Sequence, residues 1–140
     1  MARRSIPYAR LVLESSIPAD VLAFIRRHIH RLETLEVLAL LQGTAGRTWT
    51  ATQVSDELRS SPHTADAALA GLVGHGLVAR NKDVYLFDPS SVDLEEQSRR
   101  VVACYREKRT AVIAAIFSAP SPAIRSFADA FTLKKGKSDG

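Results

Sequence analysis

The sequence has few of the residues that build disulfide frameworks and metal sites. Its 140 residues include one cysteine, Cys104, and four histidines. One cysteine cannot form a disulfide within the chain, and this usage is typical of a reducing compartment. We therefore expect a cytoplasmic protein in which Cys104 is a small buried side chain. His28 and His30 are two residues apart and point to different sides of a helix, so they are poor joint metal ligands. The sequence predicts no metal and no other cofactor.

Long apolar runs and catalytic motifs are also absent. The longest apolar stretches, "VLALL" at 37–41 and "AVIAAIF" at 111–117, are far shorter than the roughly 20 residues that span a bilayer. The N-terminal "MARRSIPYARLVLESSIP" contains no apolar core of secretory length. No nucleophile elbow, phosphate-binding loop or dinucleotide fingerprint occurs. We therefore expect no membrane partner, and we expect that the protein is not an enzyme.

The positive charge of the chain is unevenly distributed. A formal net charge of +4 and a pI of about 9.6 favour a nucleic-acid partner. Residues 1–31 carry a net charge of +4, residues 32–92 of −3 and residues 93–140 of +3. No lysine or arginine occurs from Ser60 to Ala79. The middle of the chain is therefore acidic within a basic protein.

The segment before residue 45 predicts one long helix. The helix begins at Ser16 or Ile17, where Pro18 suits the first turn, and it ends at Gly43 after a bend near Arg31. Apolar residues recur there at the spacing of one helical face: Val21, Phe24, Ile25, Ile29, Leu32, Leu35, Leu38 and Leu41.

Two further helices are predicted by their capping residues. Thr50 and Gln53 stand in capping-box spacing at the start of "TATQVSDELRS". Ser61 caps the third helix, Pro62 fits its first position, and Gly76 suits a left-handed stop after it. The apolar stripe of the third helix consists of Ala65, Ala68, Leu69 and Leu72.

A β-hairpin follows the third helix. "LVARNKDVYLF" predicts strands at 77–80 and 84–87, joined by an Asn-Lys-Asp turn. The order helix, helix, helix, strand, turn, strand from about Leu32 to Pro89, with "VSDEL", "TADAALAGLVGHGLV" and "ARNKDVYLF", resembles the winged helix-turn-helix of MarR-like bacterial transcriptional regulators. The resemblance implies a mainly α-helical fold with a small β-hairpin wing, flanked by an N-terminal helix and a long C-terminal dimerisation helix.

The resemblance also implies a double-stranded DNA partner and a set of contact residues. In the family, the front of the recognition helix enters the major groove, and the wing contacts the backbone or the minor groove. The positions that match are Ser61, His63, Thr64 and Asp66 on the helix, and Arg80, Asn81 and Lys82 on the wing. Arg26 and Arg27, in the basic cluster "RRHIHR", add phosphate contacts if their helix lies beside the duplex. A solvated helix face is the alternative for this pair.

The C-terminal third predicts a dimer. "SSVDLEEQSRRVVACYREKRTAVIAAIFSAP" indicates one long helix, nearly 40 Å at about 1.5 Å per residue. We expect its apolar side to be too long to bury against one small domain. Phe127 and Phe131, spaced i and i+4 in "AIRSFADAFTL", form a second docking element. The predicted dimerisation residues are therefore Leu94, Val101, Tyr105, Val112, Ile116, Phe127 and Phe131.

These features divide the chain into four parts. We expect an N-terminal arm at 1–15, the winged helix-turn-helix domain with its leading helix at 16–92, a helical dimerisation and docking region at 93–133, and a disordered basic tail at 134–140. The function stays open between two alternatives. A recognition helix without lysine or arginine predicts a homodimeric DNA-binding regulator of weak sequence discrimination, or a winged-helix module that binds another protein. A small ligand in an apolar dimer crevice is compatible with the first alternative.

Overall fold

The computed structural model describes residues 17–118, which form six helices and three short strands. The order is α1 (Ala19–His28), α2 (Leu32–Gly43), β1 (Trp49–Thr50), α3 (Ala51–Leu58), α4 (Pro62–Gly74), β2 (Val78–Asn81), β3 (Val84–Phe87), α5 (Val92–Glu107) and α6 (Arg109–Ser118). This arrangement confirms the predicted mainly helical fold with a small β wing. The predicted N-terminal arm, the segment with Phe127 and Phe131, and the basic tail lie outside the described residues.

The helix-turn-helix consists of α3 and α4, and both helices begin where the caps predict. The Thr50 hydroxyl accepts from the Gln53 amide nitrogen at 3.1 Å, and the Gln53 side chain accepts from the Thr50 amide nitrogen at 3.0 Å. Arg59 adopts a left-handed conformation with φ of 55° and ends α3. Ser61 then accepts from the Thr64 amide nitrogen at 3.0 Å and caps α4. These bonds satisfy backbone groups that a helix end otherwise leaves without partners.

The wing belongs to a three-stranded antiparallel sheet of order β1-β3-β2. β3 lies in the centre, with Tyr85 opposite Trp49 on one side and opposite Arg80 on the other. Trp49 is buried and its indole nitrogen donates to the Thr44 hydroxyl at 3.0 Å. The hairpin was predicted one residue early in its first strand, since β2 comprises Val78–Asn81.

The leading segment is two helices rather than one bent helix, and the break falls at the bend predicted near Arg31. α1 ends at His28, and α2 begins only at Leu32. Ile29 and Arg31 between them have extended backbone angles, and the Ile29 side chain is fully buried. The break lets α1 pack against α5 and α6 while α2 packs against α4. A straight helix of this length would present one face to only one of these neighbours.

The C-terminal helix is also broken, at Lys108, whose φ of −129° and ψ of 56° interrupt the helical path. α6 therefore packs back against α5 and α1. The prediction of one helix across this segment was wrong, and so was the expectation that its apolar side exceeds what the chain can cover. Val101 and Val112 are 0% exposed, Ile116 is 2% exposed and Tyr105 is 6% exposed.

Candidate nucleic-acid interface

The recognition helix α4 has one buried face and one exposed face. Ala65, Ala68, Leu69 and Leu72 are buried against the rest of the domain, as the sequence predicts. His63 and Asp66 are exposed, and Ser61 is exposed at the cap. Thr64 is half-buried, and its hydroxyl accepts from the Ser61 hydroxyl at 2.9 Å. The four predicted helix residues thus lie together in and beside the first turn, with two of their hydroxyls already bonded to each other.

The wing tip has a fixed conformation. Arg80, Asn81 and Lys82 are all exposed. Lys82 is left-handed with φ of 60°, and its carbonyl accepts from the Arg80 Nε at 2.7 Å. The Arg80 guanidinium also lies 5.6 Å from the Tyr85 ring centre. Arg80 therefore holds the turn in shape, and Lys82 is the more available of the two cations.

Arg26 and Arg27 are on α1, near the C-terminal end of α4, whereas the predicted contact residues of α4 lie at its N-terminal end. Both are exposed in the last turn of α1, and Arg27 lines a groove between α1 and α5. The next residue, His28, contacts His75 at the C-terminal end of α4. Since α4 has 13 residues, that end is about 20 Å from its first turn.

Two basic residues outside the set of predicted contacts lie near the first turn of α4, and one of them, Arg31, ends the basic cluster "RRHIHR". Arg31 lines a groove of about 170 Å³ together with His63 and Thr64. Its guanidinium lies 3.8 Å from the Glu33 carboxylate, and its side chain is 73% exposed. Arg59 is exposed in the turn two residues before the Ser61 cap. The break after α1 brings Arg31 to this position. A prediction of one helix across this segment does not place Arg31 beside α4. Arg59 stands one residue before the stretch without basic residues.

Three histidines form a cluster at the opposite end of α4. The Nδ1 atoms of His28 and His75 are 2.9 Å apart, and the two rings meet edge to face with centres 4.8 Å apart. The His30 ring centre is 6.3 Å from that of His75. Burial lowers the pKa of His28 to about 4, and the nearby His75, Arg27 and His30 contribute to the same direction. Between residues 17 and 118, no group of three or more His, Cys, Asp or Glu side chains is arranged to hold a metal ion.

The predicted dimerisation residues fall into three groups. Val101, Tyr105, Val112 and Ile116 are buried inside the chain itself. Leu94 is half-buried against the same core, and Phe127 and Phe131 lie outside the described residues. Two large apolar side chains of the described part are exposed instead, Val92 at 79% and Phe117 at 74%. Cys104 is buried, and burial raises the pKa of its thiol. None of the helices in residues 17–118 has the length and apolar character needed to cross a membrane.

Comparison with known proteins identifies the fold. No protein-family model matches the sequence, and no curated protein matches it. The structure is similar to the crystal structure of the MarR family protein Rv2887 of Mycobacterium tuberculosis, with 19% identity, 95% coverage of both chains and a TM-score of 0.50. The reduced form of MarR from E. coli aligns over 94% of each chain with 16% identity and a TM-score of 0.48. YusO from Bacillus subtilis aligns over 92% of this chain and 90% of its own, with 18% identity and a TM-score of 0.46.

The first of these similarities defines the class of fold. The chain has a MarR-like winged-helix fold, as the sequence motifs predict. At 19% identity the similarity concerns the fold and carries no function with it.

Proposed function

We propose that the chain is a DNA-binding transcriptional regulator that acts as a homodimer through its winged helix-turn-helix. The observation that carries this proposal is the exposed first turn of α4, which has Arg31 in the adjoining groove and Arg59 in the preceding turn. Lys82, at an ordered wing tip, adds a further exposed cation. The charge that the helix lacks is therefore available from neighbouring elements.

This distribution of charge favours positioning over base reading. Arginine and lysine beside a recognition helix bind phosphates, which supplies affinity and orientation but little sequence information. On the helix itself, His63 and Asp66 are the exposed side chains with free polar ends for base edges. Asp66 can accept a hydrogen bond from a cytosine amine, yet it repels phosphate. We therefore propose that binding is mostly electrostatic, with modest discrimination at one or two base pairs.

The dimer belongs to the same proposal, with a revised contact. Because Val101, Tyr105, Val112 and Ile116 are covered within the chain, they support dimerisation only by holding α5 and α6 in place. Phe117, exposed near the end of α6, and the Phe127 and Phe131 pair beyond it are the proposed dimer contacts. A two-fold dimer would set two recognition helices about one DNA turn apart and favour a pseudo-palindromic site. Phe117→Ala should shift the mass measured by light scattering toward the monomer, whereas Val92→Ala should leave it unchanged.

The DNA contacts are tested by three charge reversals of equal size. Arg31→Glu and Lys82→Glu should each weaken DNA binding by about threefold or more, and each should lower the salt slope of log K by about 1. Arg99→Glu is the matched control, because Arg99 is exposed on α5 and pairs only locally with Glu95 at 2.7 Å. Its effect should stay below about twofold, because Arg99 lies on α5, outside α4 and the wing. Equal effects of all three reversals would contradict a defined interface.

The acidic balance of residues 32–92, at −3, favours a second candidate. A winged helix without basic residues on its recognition helix can serve as a module that binds another protein in a signalling or regulatory complex. In that case Lys82→Glu should be nearly silent in the cell, while Phe131→Ala should abolish partner capture without loss of stability. The DNA-binding proposal predicts the reverse for Lys82.

A further inference from the structure

The contact between His28 and His75 joins α1 to the end of α4. α1 packs chiefly against α5 and α6, whereas α4 packs against α2 and α3, and α2 also packs against α5. His28 is the last residue of α1, and His75 is the C-cap residue of α4. Their Nδ1 atoms are 2.9 Å apart, so the pair connects the end of the recognition helix to the helical layer formed with α5 and α6.

This contact depends on the protonation state of both rings. A hydrogen bond between two Nδ1 atoms needs a proton on one atom and a lone pair on the other. If both rings are imidazolium cations, both Nδ1 atoms carry protons and the bond cannot form. Two adjacent positive charges also repel each other in a partly dehydrated site. The contact is therefore compatible with at most one protonated ring.

The surroundings of His28 disfavour a positive charge. His75 faces it from α4, His30 faces it from the linker after α1, and Arg27 adjoins it on α1. Phe24 packs on its ring with centres 4.6 Å apart. Asp20 on α1 and Gln97 on α5 line the groove that His28 shares with Arg27, and Asp20 is already paired with Arg100 at 2.7 Å. Burial and these neighbours lower the pKa of His28 to about 4.

We propose that the His28–His75 contact is a pH-sensitive connection, which mild acid weakens, so that the C-terminal end of the recognition helix is loosened and DNA binding falls. The effect on DNA rests on the proposed function, whereas the opening of the contact does not. The end of α4 would then lose its contact with α1, while the Ser90 amide nitrogen, which donates to the Gly76 carbonyl at 2.8 Å, still holds it near the start of α5. Its angle to α1 would be less fixed, and in a dimer that angle decides whether both recognition helices reach one duplex.

The size of the effect follows from the two protonation states of His28. In the intact contact its pKa is about 4, and a released ring has the ordinary value of 6.5. Proton linkage then raises the ratio of open to closed contact by at most about tenfold between pH 7.5 and pH 5.5. Since His28 is only partly buried, we expect a rise of about three- to tenfold.

Amide hydrogen exchange of the full-length protein measures the opening directly. The amides of His75, Gly76 and Leu77 donate to Gly71, Val73 and Leu72 at 3.0–3.1 Å and close the end of α4. After correction for intrinsic exchange, their protection should fall about three- to tenfold from pH 7.5 to pH 5.5. In His28→Gln, which keeps a hydrogen-bonding group without a proton to gain, the fall should be below about twofold. His28→Phe, which keeps the ring contact with Phe24, should behave in the same way if His28→Gln does not fold. The same fall in wild type and variant would overturn the proposal.

DNA affinity is then measured at the same two pH values and constant ionic strength. His63 is exposed in the first turn of α4, and its protonation would strengthen binding to phosphate, so the comparison uses a His63→Gln background. Affinity should fall from pH 7.5 to pH 5.5 in that background, by no more than the about tenfold rise in the ratio of open to closed contact. It should stay within about twofold once His28→Gln is added. An affinity that does not change while protection falls would overturn the regulatory role. If no form binds DNA at pH 7.5, the proposed function fails, and exchange alone decides whether the pH-sensitive connection exists.

Discussion

Substitution by alanine should have opposite effects at Gly74, the last residue of α4, and at Gly76, two residues beyond it. Gly76 has φ of +76°, and a Cβ built there would lie 2.8 Å from the Ser90 Oγ and 3.8 Å from the Leu94 Cδ1. Its carbonyl also accepts from the Ser90 amide nitrogen at 2.8 Å. Gly74 lies in the last turn of α4, and a Cβ there would meet nothing within 4 Å.

The magnitudes follow from backbone preference and steric contact. Alanine in a left-handed conformation costs about 1–2 kcal/mol, and displacement of the Ser90 side chain adds to this cost. We expect Gly76→Ala to lower the free energy of unfolding by about 1.5–3 kcal/mol. Gly74→Ala should raise it by about 0.5–1 kcal/mol, because alanine loses less backbone entropy in a helix than glycine.

Urea unfolding at one fixed protein concentration measures both variants, since an oligomer makes stability depend on concentration. Adding Ser90→Ala to Gly76→Ala should restore only the steric part and leave about 1–2 kcal/mol of backbone cost. If Gly76→Ala stays within about 0.5 kcal/mol of the wild type, or proves more stable than Gly74→Ala, the account of how the recognition helix ends is wrong.

Three further perturbations test the core, a cap and the pH dependence of stability. Leu38→Ala removes a side chain that is 0% exposed, and should cost about 2–5 kcal/mol in the same urea assay. Thr50→Ala removes one half of the capping box and should cost about 1 kcal/mol, whereas Thr52→Ala on the exposed side of α3 should cost far less. Because the pKa of His28 is about 4 in the folded chain and 6.5 ordinarily, the unfolded chain takes up this proton first. The contribution of neutral His28 is complete above pH 6.5 and is lost as the pH falls toward 4. This contribution is about 1–2 kcal/mol once partial exposure is allowed for. Between pH 7.5 and pH 5, the free energy of unfolding obtained from thermal melts should fall by that much more in the wild type than in His28→Gln.

The local chemistry of the helix ends could be predicted from the sequence. Thr50 and Ser61 each have a side chain of the right length to bond an amide three residues on, and the structure shows both bonds. Gly76 follows for a similar reason, since a left-handed conformation after a helix favours glycine. These features depend on four or five neighbouring residues, which the sequence contains completely.

The full breaks in the two long helices could not be predicted in the same way, although the sequence indicates a bend near Arg31. Neither Ile29–Arg31 nor Lys108 contains proline or glycine, and the apolar spacing continues across both. The chain breaks there because α1, α2, α5 and α6 bury more apolar surface by packing on several neighbours than by continuing straight. How much apolar surface each helix buries depends on distant parts of the chain, so a local sequence pattern does not predict where the helices break.

The candidate site shares this division. Ser61, His63 and Asp66 follow from the position of the cap, and the structure brings them together as predicted. Arg31 reaches the first turn of α4 only because the leading helix breaks. The same break carries His28 to His75, which are 47 residues apart in the sequence. The contacts that form because the leading helix breaks are therefore the part of the site that sequence patterns do not predict.

DNA binding itself is tested by titration of the purified protein into labelled genomic DNA fragments at low and at physiological salt. We expect binding at both salt concentrations, a steep decline between them, and weaker binding by Lys82→Glu on every fragment, with modest enrichment of particular fragments. Absence of binding even at low salt would contradict the proposed function, because it would show that the cations around α4 do not bind DNA phosphates. The acidic domain would in that case be a surface for another protein.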